Sequence, residues 1–343
     1  MRAWIAALLL LASPLLPAPP AAAQNQPGPT LKAILARGTL DCSASPITPG
    51  FSFPDSKGVF QGMDVDFCRA VAAAIFGDAG KAKFVPVNGA QRLPSLQSGQ
   101  VDMVIQTLTQ TQTREAANGL LFTGITFYDG QGFIVRKSLG IKSARELKGA
   151  SICISAGSTS ELNLQDWMAT NGLDYKPVIF EQAAEGRAAY DAGRCDAYST
   201  DSTLLLGMRF AMRNPDEHMV LADVISKEPL GPAVRQGDDQ WYSIVKWTLN
   251  ALIEAEEQGI TQANVDEKLN STNPVVKRLL GQTGDFGKFM ALDNKWAYWA
   301  IKAVGNYGEL YERHLGQGSP IKLARGKNDL WSRGGLIYAP PIR

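Results

Sequence analysis

Twice along the chain the same order of elements recurs, and that recurrence limits the fold more than any single motif. The first series opens with a short strand at 39–42 (TLDC), a loop to residue 62 and a helix from about Asp64. In that helix Cys68, Val71, Ala72 and Ile75 fall at i, i+3, i+4 and i+7, which makes one buried face. A strand (KFVPV), a helix around 92–98 and another strand (VDMVIQ) follow. The second series begins after Leu147 with SICIS, a helix from near Ser160, PVIFE, the helix AAEGRAAYDAG and the strand CDAYST. Strands alternating with helices imply parallel βαβ units with right-handed crossovers. Two such units of similar size, joined through FIVRK and later through GPAVRQ, predict two lobes with two crossing strands.

In open α/β sheets ligands sit at the carboxyl ends of strands. Polar segments occupy those ends here: SASPIT, QTLTQTQTR, AGSTSE and STDS. In the second of these, Thr107, Thr109, Thr111 and Thr113 take every second position before Arg114. Period two belongs to extended chain, so these hydroxyls form either a cleft wall or an exposed strand edge. Ser158 and Glu161 make an S-x-x-E capping box, and a helix N-terminus beside Gly157 can also receive an anion. Asp201 lies just past a strand end, where a capping or turn aspartate is the common case. Taken together, the forked arginine and helix N–H groups suit a carboxylate, and the aspartate with threonine hydroxyls suits an ammonium. That is the recognition chemistry of a free α-amino acid.

Residues 1–23 carry one charge, Arg2, then an apolar run broken by Pro14 and Pro17, then Ala21-Ala22-Ala23. This is the pattern of a secretory signal peptide, with cleavage expected near Ala23. No later segment approaches the about 20 apolar residues of a membrane span. Without Arg2 the 34 Lys and Arg become 33, matching the 33 Asp and Glu. A formal charge of zero argues against a nucleic-acid partner. Four cysteines remain, Cys42, Cys68, Cys153 and Cys195, an even count that suggests disulfides in an exported protein. Spacing leaves all three pairings open. With no CxxC, and only His218 and His314, zinc is not expected.

The stretches DVDFCRAVAAAIFGDA, YDGQGFIVRKSLG, SAGSTSELNL, AGRCDAYSTD, SKEPLGPAVRQGDDQW, KAVGNYGELYERHLG and GGLIYAPPIR resemble the general L-amino-acid-binding periplasmic proteins of ABC uptake systems. The likeness runs from about Thr39 to Arg343. It implies an α/β, type II periplasmic-binding-protein clamshell, each lobe a mixed sheet flanked by helices, with two hinge strands and a C-terminal helical extension. Residues 24–134 and 233–343 would form the first lobe and the extension, and 135–232 the second lobe. The implied function is periplasmic: binding a free L-amino acid by closure and delivering it, as a monomer without cofactor or metal, to the permease membrane subunits.

By the same resemblance Arg114 grips the α-carboxylate, with the backbone at Thr109 and Thr159 completing the cradle. Asp201 takes the α-ammonium, with Thr107 and Ser45 beside it. Residues 45–51 and 88–92, Gln106 and Ser158 would form the side-chain pocket. The chain departs from the family where QTLTQTQTRE replaces an RNTTWTLSRD-like run, so Gln106 stands for a basic residue and Gln110 for an aromatic one. The implied lobes place Cys42 with Cys68 and Cys153 with Cys195, since other pairings would tie the lobes across a moving cleft. Two rivals remain: a periplasmic dehydratase-type enzyme, with Asp201, Glu161 and Glu181 as candidate acids, and a ligand sensor for a chemoreceptor. Residues 238–259 and 293–316 read as amphipathic helices packed on the first lobe, with Glu254, Glu256 and Glu257 expected on a solvated face.

Overall fold

The computed structural model describes residues 26–343, so the expected cleavage near Ala23 lies outside the described residues. In the first lobe Leu40–Ala44 and Ala82–Pro86 pair in parallel, with Cys42 opposite Phe84. The expected strand over 101–106 is reduced to bridges: Met103 meets Cys42, and Val104 meets Ala233. Behind this layer runs the helix Met63–Phe76, where the alanine-rich stretch favours helix, Asp64 and Asp66 sit in the first turn and Gly77 closes the end. Its apolar face packs against the helices Trp296–Val304 and Asp239–Glu257 in one core that runs from Leu31 to Ile342. Each aliphatic side chain fully buried there contributes roughly 1.5–3 kcal/mol.

The second lobe is a five-stranded mixed sheet. Its strands lie in the order His218–Val220, Gln131–Arg136, Ala197–Asp201, Ser151–Ser155, Lys176–Phe180. The last three run parallel, and Gln131–Arg136 is antiparallel to both its neighbours. Phe133, Ile152, Leu164 and Met168 fill one face, and Ile134, Tyr190, Leu205 and Met208 fill the other. The helices Thr159–Thr170 and Ala183–Asp191 begin within a few residues of strand ends, as the alternating pattern predicts.

FIVRK does not cross between lobes. Its residues 133–136 belong to Gln131–Arg136, inside the second sheet, and the boundary expected between 134 and 135 falls within that strand. The crossing pair is Phe127–Asp129 with Glu228–Leu230, antiparallel, Glu228 facing Asp129. Beyond it Ala233–Arg235 pairs with Leu120–Phe122 in the first lobe. Gly231 is required at this crossing, because a Cβ there would lie 2.0 Å from the Gly124 carbonyl oxygen.

The C-terminal extension braces the crossing. Tyr307 donates its hydroxyl to the Thr126 carbonyl at 2.9 Å. Asn328 accepts from the Tyr128 N–H at 2.6 Å and donates to the Tyr128 carbonyl at 3.1 Å. Arg325 holds this segment by pairing with Glu256 and lying over the rings of Tyr307 and Tyr311. The solvated acidic face expected at 254–257 is therefore corrected: Glu254 is buried and Glu256 is bound by Arg325 and Arg333.

Candidate ligand-binding cleft

Between the lobes lies a cleft of about 330 Å³, lined from both sides by strand ends and helix starts. Thr107, Thr109, Ser45 and Gln106 line it from the first lobe, and Thr159, Ser158 and Asp201 from the second. The lobes meet across it, the Thr109 and Thr159 hydroxyl oxygens being 3.3 Å apart.

The threonine run does not form one extended wall. Thr107 has φ 45°, a left-handed conformation uncommon for a branched residue. Two charged groups hold that turn: Asp64 accepts from the Thr107 N–H at 2.9 Å, and Arg92 Nη1 donates to the carbonyls of Gln106 and Thr107. Thr111 then caps the short helix Gln112–Ala116, accepting from the Arg114 N–H, and Thr113 is exposed on it. Only Thr107 and Thr109 reach the cleft.

Asp201 is only 5 % exposed, lies on the cleft wall, and its carboxylate has no internal hydrogen-bond partner among the described residues. Burial raises its pKa well above the usual range, the charges of Asp129 and Glu228 add to this, and Arg92 and Arg114 oppose it. Asp129, which accepts from the Gly130 and Thr203 N–H groups, is itself pushed up to about 6, mainly by burial. The unliganded site thus disfavours the charged form of Asp201, at a point open to a ligand cation.

Arg114 is 7 % exposed and stands just behind the lining, its Nη1 donating to the Thr109 carbonyl at 2.6 Å. Its Nη2 has no internal acceptor among the described residues. Burial depresses its pKa, and Glu228 and Asp201 pull it back up. Among the described residues the N–H groups of Thr109 and Thr159 likewise make no internal hydrogen bond. One guanidinium and two N–H groups, from both lobes, fit a carboxylate.

Other expected residues have local duties. Ser158 accepts from the Glu161 N–H and donates to the Ser155 carbonyl, so its hydroxyl is used in capping. Glu161 reaches back to the Gly157 N–H rather than to Ser158, which leaves the box one residue wide of the expected form. The Ser45 hydroxyl accepts from the Ile47 N–H, and Gln106 Nε2 donates to the Val87 carbonyl while its Oε1 is enclosed without a partner. Arg92 falls within the segment 88–92 expected at the side-chain pocket, whereas Glu228 is a residue the sequence reading missed. Arg92 lines the cleft with Nη2 uncommitted, its pKa lowered to about 10 by burial and then by Arg114. Glu228, wholly buried, accepts from Thr109, Thr159, Asn163 and Ser226. A lone acid inside the apolar stretch EPLGPAV was its only signal in the sequence.

Both cysteine links fall as the lobes imply, Cys42 to Cys68 and Cys153 to Cys195, with no free thiol among the described residues. No cluster of metal-ligating side chains occurs among the described residues.

Two sheets joined by a pair of crossing strands, enclosing a cleft with opposite charges on its walls, define a clamshell solute-binding protein. The chain belongs to the bacterial extracellular solute-binding proteins, family 3, which it matches over residues 40–263. It is 55% identical over 316 residues to the general L-amino acid-binding periplasmic protein AapJ of Rhizobium johnstonii, covering 92% of this chain and 93% of that protein. It is 49% identical over 315 residues to the glutamate/glutamine/aspartate/asparagine-binding protein BztA of Rhodobacter capsulatus, with the same coverage of 92% and 93%. A solved ABC transporter periplasmic binding protein from Brucella ovis, with glutathione bound, superposes with a TM-score of 0.90 at 52% identity, covering 92% of this chain and 99% of that one.

Proposed function

We propose that this protein is the periplasmic solute-binding component of an ABC amino-acid uptake system, closing on a free L-amino acid and presenting it to the permease. One observation carries this reading: a buried carboxylate, Asp201, opens into the cleft with no internal partner. An enclosed charge of this kind calls for an opposite charge, and the α-ammonium supplies it. Arg114 Nη2 and the N–H groups of Thr109 and Thr159 take the α-carboxylate, with Thr107 and Ser45 as neighbours of the ammonium. Gln106 and Ser158 border the side chain. The protein works as a monomer, exported with cleavage near Ala23, and needs no cofactor.

Binding is favoured over a dehydratase because the relatives at 49% and 55% identity are named as binding proteins. A γ-glutamyl peptide is a second candidate ligand. The Brucella protein holds glutathione, whose γ-glutamyl residue keeps a free α-ammonium and α-carboxylate, and Arg92 Nη2 offers a donor to a side-chain oxygen.

Isothermal titration of ligand-stripped protein against the free L-amino acids, their D-enantiomers and glutathione tests the proposal. L-Amino acids should bind, and Asp201→Asn should weaken them roughly 100-fold, about 2.7 kcal/mol. Absence of binding by any L-amino acid, or equal affinity in Asp201→Asn, rejects it.

A further inference from the structure

The charges assigned above to ligand recognition leave Glu228 without a role, although it is the most enclosed acid at the site. It lies on the crossing strand Glu228–Leu230, so it belongs to the pivot rather than to either cleft wall. Its two oxygens receive four donors. Oε2 accepts from the Thr109 hydroxyl of the first lobe at 2.5 Å and from the Thr159 hydroxyl of the second at 3.0 Å. Oε1 accepts from Asn163 Nδ2 at 2.6 Å and from the Ser226 hydroxyl at 2.7 Å. Thr159 and Asn163 are i and i+4 on the helix Thr159–Thr170, so one face of that helix's first turns is tied to the carboxylate.

We infer that Glu228 is a latch for the closed clamshell, a positioning residue that fastens the first turns of the helix Thr159–Thr170 to Thr109 across the cleft. The latch goes beyond the proposed ligand. It needs only that the lobes open and close, and it acts on the protein whether or not a molecule is bound. Opening separates Thr109 from Thr159, so the carboxylate must release donors from at least one lobe. Charged hydrogen bonds are stronger than neutral ones, which makes that release costly. By fixing the Thr109 and Thr159 main chains against each other, the latch also sets the spacing of the two free N–H groups. Glu228 touches no ligand in this account. It governs how long a ligand stays, through the opening equilibrium.

Small-angle scattering of the ligand-free protein provides the primary test, using wild type, Glu228→Gln and Asn163→Ala. An amide at 228 cannot accept from Asn163 and two hydroxyls together, so both variants should have a larger radius of gyration than wild type. Wild type that is already open, or variants that scatter identically to it, overturn the latch. Stopped-flow with L-glutamine as probe supplies the second readout. The off-rate should rise roughly tenfold in each variant, the loss of about one charged hydrogen bond, with an on-rate at least as high as that of wild type because the open form admits ligand. A lowered on-rate, or a changed preference between L-glutamine and L-leucine, would make Glu228 a ligand contact and also overturn the inference. Should wild type not bind L-glutamine, the scattering alone decides the latch. If Glu228→Gln fails to fold, Asn163→Ala and Ser226→Ala carry the same comparison.

Discussion

A carboxyl enclosed beside two others holds its proton until a better cation arrives. Burial and the neighbouring charges of Asp129 and Glu228 raise Asp201, so the unliganded site favours the protonated acid more than an exposed aspartate does. An α-ammonium stabilises the ionised form and therefore displaces that proton. Affinity for a free amino acid should accordingly fall as pH drops, and binding should release protons. Titrations in buffers of different ionisation enthalpy count them; a proton count of zero together with a flat pH profile contradicts this charge arrangement. Stability follows the same linkage at Asp64, which burial pushes to about 7 from an ordinary 3.8. A raised carboxyl pKa stabilises the fold fully below about pH 4, and that contribution is lost as pH rises through 7. Asp64→Asn should flatten this part of the Tm-against-pH curve, as thermal melts between pH 4 and 8 would show.

Among the elements, the crossing strand Phe127–Asp129 depends on distant chain. Asn328, 200 residues away, satisfies both the N–H and the carbonyl of Tyr128. Asn328→Ala strands two backbone groups and should cost about 2 kcal/mol, measurable as a lowered urea midpoint. Nothing in GKNDL announces this duty, because the contact is set by tertiary folding and not by local pattern. The helices were legible for the opposite reason. Met63–Phe76 and Thr159–Thr170 carry their own periodicity, caps and first-turn acids. Alternation in the threonine run predicts one extended segment, whereas Asp64 and Arg92 hold a left-handed turn at Thr107 and Thr111 starts a helix. On the cleft wall, Asp201 stands at the strand end where the sequence puts it, and Arg114, on the helix Gln112–Ala116, lies just behind the lining. Glu228 could not be found from the sequence, since its donors come from four separate positions between 109 and 226.

At the scale of the whole molecule, the two lobes differ in support. The first shares its core with the helices that follow the second crossing, and the second is a sheet with helices on both faces. Each carries one disulfide, over sequence separations of 26 and 42 residues. Removing either pair by Cys→Ser exchange should lower stability by roughly 3–4 kcal/mol through the freed unfolded chain. Ligand affinity of the folded protein should stay within about twofold, because neither bond touches a group that moves between lobes. Denaturant melts and titration of the same variants measure both. Since neither covalent bond spans the opening, an oxidant that arrives late, after the shell has shut on its cargo, can seal the halves without imprisoning what lies between them.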